Sequence, residues 1–205
     1  VTLDDAVLAI GNGGVVAMPT DTVYGLACDP SSAAAVDRIY AIKRRPKDLE
    51  LTLLTATVAD IEDDVELGAA ARTLASAYWP GALSIVCQLR RRRWEIPRTG
   101  ETLSVRVPDH PIALELLRRT GPLATTSANR HGEQPAGTAA EVAAALNGEI
   151  DGIVDGGRCG GLPSTIIDCT TTTPRVVREG PIPATVMRSL LGGITSTSTE
   201  GQRHQ

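Results

Sequence analysis

The feature that most constrains this chain is its regular exchange between short β-branched runs and segments with helical spacing, punctuated by proline and glycine. Residues 2–11 place Leu3, Val7 and Leu8 at helical intervals, and 15–19 then read as a short strand. Ser31 or Ser32 can cap a helix over 33–45 that turns Val36, Ile39, Tyr40 and Ile42 inward, and Pro46 stops it. A strand over 51–56 and a helix over 67–78 follow, the latter ended by Pro80 and Gly81. Strands are expected at 82–89, 102–108 and 122–128, with a helix at 111–119 between the last two. After a Pro/Gly-rich stretch at 132–137, Thr138 can cap a helix over 138–147. Short strands at 152–157, 164–170 and 175–180 precede a closing helix at 183–191. An order that mixes crossovers with hairpins predicts an α/β (α+β) sheet fold, partly antiparallel. The 205 residues suit one domain, placed at 1–191. Residues 192–205, all Gly, Ser, Thr, charge and little else, are expected to form a disordered tail.

Composition narrows the function. Phe is absent and Trp and Tyr number only 2 and 3, so the core is built from Ala, Val, Leu and Ile. That suits helices and strands, and argues against recognition of single strands by aromatic stacking. A net charge of -4 excludes a surface built throughout for nucleic acid, although a local basic groove is compatible with it. No run approaches the ~18 apolar residues of a membrane helix. No basic stretch followed by an apolar one opens the chain, so a cytoplasmic protein without membrane attachment is expected. The 4 cysteines form no C-x-x-C pair and stand beside 3 histidines, so free buried thiols are expected and no metal site. A P-loop is missing, and Gly11, Gly13 and Gly14 precede a strand instead of following one. Gly156, Gly157, Gly160 and Gly161 read as turn formers.

The polar clusters carry the chemistry. In PTDTVYGLACDP (19–30) a strand runs into Thr20, Asp21, Thr22 and Tyr24. This is either a ligand-facing strand end or a turn held by its own Thr and Asp hydrogen bonds. Both lysines of the chain, Lys43 and Lys47, fall with Arg44 and Arg45 at a helix C-terminus. The helix dipole accounts for one or two cations there, and a phosphate site accounts for all of them. Arg106 shares a strand face with Thr102 and Ser104, and it is costly to bury without a ligand anion or an internal acid. TTSAN (125–129) supplies hydroxyls and an amide, Ser164 and Thr165 a further pair, and Arg178 another cation. Arg90 to Arg93 with Trp94 read as a solvated hairpin tip. Histidine-centred acid–base catalysis finds no support.

Taken in order, PTDTVYGL, K-x-R-P (Lys43, Arg45, Pro46), SVRVPDHP, SAN (Ser127 to Asn129) with Gly132, and STIID with RVVREG resemble the Sua5/YrdC/YciO family. The resemblance covers residues 5 to 190, about one YrdC-like domain. It implies a twisted open mixed sheet flanked by helices, with a large basic cavity. It also implies an L-threonylcarbamoyladenylate synthase, a nucleotidyltransferase joining L-threonine, bicarbonate and ATP with release of pyrophosphate. The product serves N6-threonylcarbamoyladenosine formation at position 37 of tRNA, finished by a Kae1/TsaD-type transferase. By the family pattern Thr20, Arg106 and Ser164 hold L-threonine. Lys43, Arg45, Thr102, Ser127, Asn129 and Arg178 line the nucleotide, with Lys43, Arg45 and Arg106 the catalytic set. Mg2+ accompanies the ATP.

Leu49, Glu50, His131 and Pro135 depart from the commoner family residues, which leaves open a YciO-type paralogue that binds tRNA or double-stranded RNA with altered or weak catalysis. A carbamoyl-adenylate enzyme acting on another amine or on carbamoyl phosphate is the third reading.

Overall fold

The computed structural model describes residues 1–47, 49–97, 100–146, 148–192 and 195–196. Helix α1 (Leu3–Gly11) opens with a capping box, in which the Thr2 hydroxyl accepts the Asp5 N–H and the Asp5 carboxylate accepts the Thr2 N–H. β1 (Val16–Met18) and β2 (Gly25–Cys28) form an antiparallel pair. Helix α2 (Ala33–Lys43) is capped by Ser32, which is worth about 1 kcal/mol. It ends two residues earlier than the sequence suggests, because Arg44 turns left-handed (φ 51) and Arg45, preceding Pro46, is disfavoured from helix. β3 (Thr52–Leu54), β4 (Val65–Glu66), α3 (Ala69–Tyr78), β5 (Leu83–Leu89) and β6 (Thr102–Arg106) come next. α4 (Pro111–Thr120), β7 (Leu123–Ser127), α5 (Ala139–Leu146) and β8 (Gly152–Ile153) continue the alternation. β9 (Thr165–Asp168), β10 (Arg175–Arg178), α6 (Ala184–Leu191) and β11 (Thr195–Ser196) close it.

All strands join one mixed sheet, in the order β11-β10-β9-β5-β6-β3-β7-β2-β1-β8, with β4 added beside β5. β3 runs parallel to β6 and β5 parallel to β9, whereas β5–β6, β3–β7 and β2–β7 are antiparallel. The α/β class with a partly antiparallel sheet is therefore as the sequence implies. β2 was hidden in the sequence because Gly25 to Cys28 are all buried, which erases the period-2 signal of a half-exposed strand. Of the stretch expected as a tail, Thr195–Ser196 pairs in parallel with β10, and residues 193–194 and 197–205 lie outside the described residues.

The sheet is covered unequally. On one face Leu26, Leu53, Ile85, Leu103 and Val105 pack beneath Val36, Ile39, Leu74 and Val142 of the helices. Each fully buried leucine or isoleucine there contributes about 1.5–3 kcal/mol. On the other face α1 and α4 cover only Val16, Met18, Ala27, Leu54 and Leu123. Side chains alternate along each strand, so that same face also carries Thr52, Ser84, Ser104, Arg106 and Thr125 beyond the reach of α1 and α4. A polar floor is thus left open beside an apolar layer. Among the described residues no helix is long and apolar enough to cross a membrane.

Candidate functional site

Above this floor lies a cavity of about 160 Å³ whose walls include Thr20, Arg45, Arg106, Ser127, Ser164 and Arg178. These six come from six separate stretches of chain that the sequence singles out, and the fold gathers them around one cavity.

Arg106 ends β6 with only 6% of its side chain exposed. Its Nε donates to the Gly81 carbonyl (2.8 Å), Nη1 to the Thr22 hydroxyl (3.0 Å) and Nη2 to the Asp21 carboxylate (2.5 Å). Burial pulls its pKa below the ordinary value and Asp21 opposes that. The internal acid that a buried strand arginine requires is therefore Asp21. The 19–30 segment is both of the alternatives it offered. Thr20 Oγ1 donates to the Val23 carbonyl (2.7 Å) and accepts the Thr22 and Val23 N–H groups, while Thr20 and Thr22 also line the cavity.

The Asp155–Gly161 loop closes over this turn: Gly161 N–H donates to the Thr22 carbonyl at 2.7 Å, and the Tyr24 hydroxyl to the Gly157 carbonyl at 3.0 Å. A Cβ on Gly160 would stand 2.7 Å from the Asp21 carbonyl, so only glycine permits that approach.

Ser164 pairs its hydroxyl with that of Ser84 at 2.9 Å, and Arg178 donates to the Ser164 carbonyl through Nε (3.1 Å) and Nη2 (2.8 Å). Burial, then Arg106, then Arg45 push the Arg178 pKa down, which marks three guanidiniums crowding one cavity. Arg45 donates to Thr126 Oγ1 (2.8 Å) and to the Glu50 carbonyl (2.9 Å). Glu50 also lines the cavity.

Lys43, Thr102 and Asn129 are absent from the cavity wall. Lys43 is 2% exposed and its Nζ donates to the carbonyls of Ser127 (2.6 Å) and Asn129 (2.7 Å). Burial and the neighbouring Arg45 lower its pKa to about 8. Asn129 Nδ2 donates to the carbonyls of Arg130 and Glu133, bracing the same loop. Thr102 stands at the far end of β6, opposite Gln88. Lys47, counted with the cation cluster, turns away to Asp37 at 2.6 Å.

Thr52 and Ser84 line the cavity and carried little signal in the sequence. Each is one hydroxyl inside an otherwise apolar strand, and the only clue is that it falls on the alternation that also carries Arg106. The Arg90–Arg93 segment differs from expectation in one respect: Trp94 is buried at 4% exposure in the main apolar core, with the Arg93 guanidinium 5.4 Å from its ring centre. The run itself is exposed and faces acids, with Arg91 against Asp63, Arg92 against Glu101 and Arg93 against Asp64. All four cysteines are free; Cys28 and Cys87 are buried and Cys159 and Cys169 half-buried. Burial pushes the Cys28, Cys87 and Cys169 thiols up to about 12, so they are inert. No group of three or more potential metal ligands occurs among the described residues.

The sequence profile of the Sua5/yciO/yrdC family, described as "Telomere recombination", matches residues 8–180. Threonylcarbamoyl-AMP synthase of Xanthomonas oryzae pv. oryzae (strain PXO99A) is 43% identical over 163 residues, spanning 76% of this chain and 86% of that protein. The crystal structure of P. abyssi Sua5 complexed with L-threonine superposes with a TM-score of 0.89 at 33% identity, over 95% of this chain and 58% of that one. The chain thus spans little more than half of that archaeal protein. E. coli YciO superposes with a TM-score of 0.79 at 31% identity, over 88% of this chain and 90% of that one.

Proposed function

Since the chain belongs to the Sua5/YciO/YrdC family, we propose that it is a threonylcarbamoyl-AMP synthase, a nucleotidyltransferase that joins L-threonine, bicarbonate and ATP. The observation that carries this reading is the convergence of Arg45, Arg106 and Arg178 on one hydroxyl-lined cavity. Such a site gathers anions, and this reaction brings together a carboxylate, a carbamate and a triphosphate.

The chemistry asks for positioning more than for proton transfer. The L-threonine amine forms a C–N bond to bicarbonate carbon as a C–O bond breaks and water leaves, which gives a carbamate whose oxygen is already an anionic nucleophile. It attacks the α-phosphorus of ATP, a new O–P bond forms, and the bond to the β-phosphate breaks to release pyrophosphate. Arg106, Thr20 and Ser164 take the amino acid, the Arg106 guanidinium keeping two N–H groups beyond the three that meet Gly81, Thr22 and Asp21 among the described residues for the amino acid's carboxylate. Arg45, Arg178 and Ser127 hold the nucleotide. Lys43 and Asn129 act from behind, by fixing the backbone that carries Ser127. Fixed cations and donors aimed at developing charge lower the barrier without reorganisation. Thr102 lies off the wall, so its place at the nucleotide requires a substrate that extends along β6.

Among the described residues Glu50 is the one acidic residue on the cavity wall. Magnesium would enter with ATP, with Glu50 the nearby carboxylate available to it, and would supply charge neutralisation on the triphosphate. The adenylate is a reactive product, which supports transfer onward to tRNA by a Kae1/TsaD-type partner in the cytoplasm. Arg91, Arg92 and Arg93 already face carboxylates, and this favours the synthase over an RNA-binding role. Pyrophosphate release by the purified protein tests the reading: it should require ATP, L-threonine and bicarbonate together, and release that ignores L-threonine would refute it.

A further inference from the structure

A second cavity, of about 390 Å³, lies beyond the carboxyl ends of β3 and β6, lined by Ala56 after the one and Val107 after the other. These two strands run parallel, and in open α/β sheets the crevice outside such ends is where ligands collect. From α3 come Arg72, Ala75, Ser76 and, at its end, Trp79, at the i, i+3, i+4, i+7 spacing of one helical face. Leu67, Ala75 and Val107 on this wall are buried, so its inner surface is apolar. Trp79 Nε1 donates to the Leu83 carbonyl at 2.6 Å, which fixes the ring and occupies its one donor, so the indole offers the cavity apolar surface only. Arg72 is the one charged residue on this wall among the described residues, and Ser76 adds a hydroxyl.

An apolar, preformed cavity of this size with a single cation suits a small molecule with an apolar body and one carboxylate. A polyphosphate or a nucleic acid would need several cations, and an amine would be repelled by Arg72. The wall also reaches the arginine site. Pro80 is followed by Gly81, whose carbonyl accepts the Arg106 Nε–H at 2.8 Å and whose N–H donates to the Val107 carbonyl at 2.9 Å. A Cβ on Gly81 would stand 2.5 Å from the Tyr78 carbonyl, so this turn is tight and a shift of Trp79 or Pro80 is carried to Gly81. A ligand that fits the cavity as it is shaped here favours the arrangement in which Gly81 meets Arg106 over those in which it does not. We propose that this cavity is an effector site for a small aliphatic or aromatic monocarboxylate, and that its occupancy tightens L-threonine binding through Gly81 and Arg106. The site itself is independent of the synthase reading, whereas the coupling rests on it.

Titration of the whole chain with 3-phenylpropionate, and with 3-phenylpropionamide as its uncharged counterpart, tests this. The chain has 2 tryptophans and Trp94 lies in the main core, so Trp79 reports on this cavity. The acid should shift tryptophan emission saturably to shorter wavelength, and the amide should bind about fivefold or more weakly. Arg72→Gln should erase that preference. Ser76→Phe, at an exposed helix position, should fill the cavity and abolish the shift. By calorimetry, saturating 3-phenylpropionate should lower the Kd for L-threonine about threefold or more in the wild type, L-threonine should tighten the probe by the same factor, and the probe should have no effect in Ser76→Phe. The absence of a saturable shift, equal binding of acid and amide, or a shift that survives Ser76→Phe would overturn the proposal. So would an L-threonine Kd that ignores the probe, or competition between the two, which would place the probe at Arg106. A wild type that binds no L-threonine with or without the probe sinks the synthase reading and the coupling with it, while a shift lost in Ser76→Phe would still establish the carboxylate site.

Discussion

Lys43 Nζ donates to the Ser127 carbonyl at 2.6 Å, from a helix C-terminus to the end of a strand 84 positions away. The contact binds α2 to the loop that leaves β7, and it makes the lysine a brace for Ser127 instead of a group on the cavity wall. Lys43→Met should therefore weaken ATP binding through the loop. The Asn129 carbonyl would lose its lysine donor, at a cost of about 1–3 kcal/mol, while the Ser127 carbonyl would keep only the Asn129 N–H. Lys43→Arg, with longer reach and a planar head, should rescue poorly. Calorimetry with ATP and thermal unfolding of both variants check this; an unchanged ATP affinity in Lys43→Met would remove the brace from the account.

The same lysine makes stability depend on pH. Its pKa falls from 10.5 to about 8 on folding, because burial disfavours the charged form. Between those values the unfolded chain binds more protons, so this group makes stability rise with pH from about 8 toward 10.5. Below pH 8 it is charged in both states and contributes no slope. Urea unfolding at pH 7.5 and pH 10 should show an increment of about 1–3 kcal/mol in the wild type that Lys43→Met lacks.

Arg106→Ala should abolish L-threonine-dependent pyrophosphate release while ATP still binds. The loss of a charge-assisted contact, with Asp21 left half-satisfied, costs about 2–5 kcal/mol, or roughly thirtyfold and more in affinity. Normal turnover in this variant would remove Arg106 from the amino-acid site.

The two arginine clusters should separate cleanly. Arg45 reaches Thr126 on the cavity wall, whereas Arg91 and Arg92 face Asp63 and Glu101 on an exposed loop. Arg45→Ala should weaken ATP binding about tenfold or more, a charged hydrogen bond being worth ~1.5–3 kcal/mol. Arg91→Ala and Arg92→Ala should leave it within twofold. Equal losses at both clusters would point to one continuous basic surface and so to RNA.

Gly180→Ala tests how Ser164 is held. A Cβ there would stand 2.3 Å from the Pro163 carbonyl and 2.6 Å from the Thr165 nitrogen, so the backbone on both sides of Ser164 must move. Overpacking of this kind costs about 1–3 kcal/mol, and L-threonine affinity should fall along with the melting temperature. Unaltered binding would show that Ser164 tolerates displacement.

Much of the site was legible because unusual residues mark it. A cation on a strand, hydroxyls at strand ends and both lysines in one short stretch are each hard to explain otherwise, and the cavity brings Thr20, Arg45, Arg106, Ser127, Ser164 and Arg178 together. What escaped was whatever depends on contacts distant in sequence. Lys43 reads as a phosphate ligand until Ser127 and Asn129 are seen to occupy its donors. Trp94 reads as a tip residue until it is found packed in the main apolar core. Ser84 reads as an ordinary strand residue until Ser164 faces it at 2.9 Å. The strands escaped for a related reason. Gly25–Cys28 is buried on both faces and so shows no alternation, while Val65–Glu66 is too short to show any.

The central claim is that this cavity joins L-threonine, bicarbonate and ATP, and mass spectrometry with carbon-13 bicarbonate tests it most directly. Incubation with ATP, magnesium and L-threonine should yield an adenylate with the mass of threonylcarbamoyl-AMP carrying one heavy carbon, with one pyrophosphate released per adenylate. Omission of L-threonine should abolish both. Pyrophosphate release that persists without L-threonine, or an adenylate without the heavy carbon, would contradict the account.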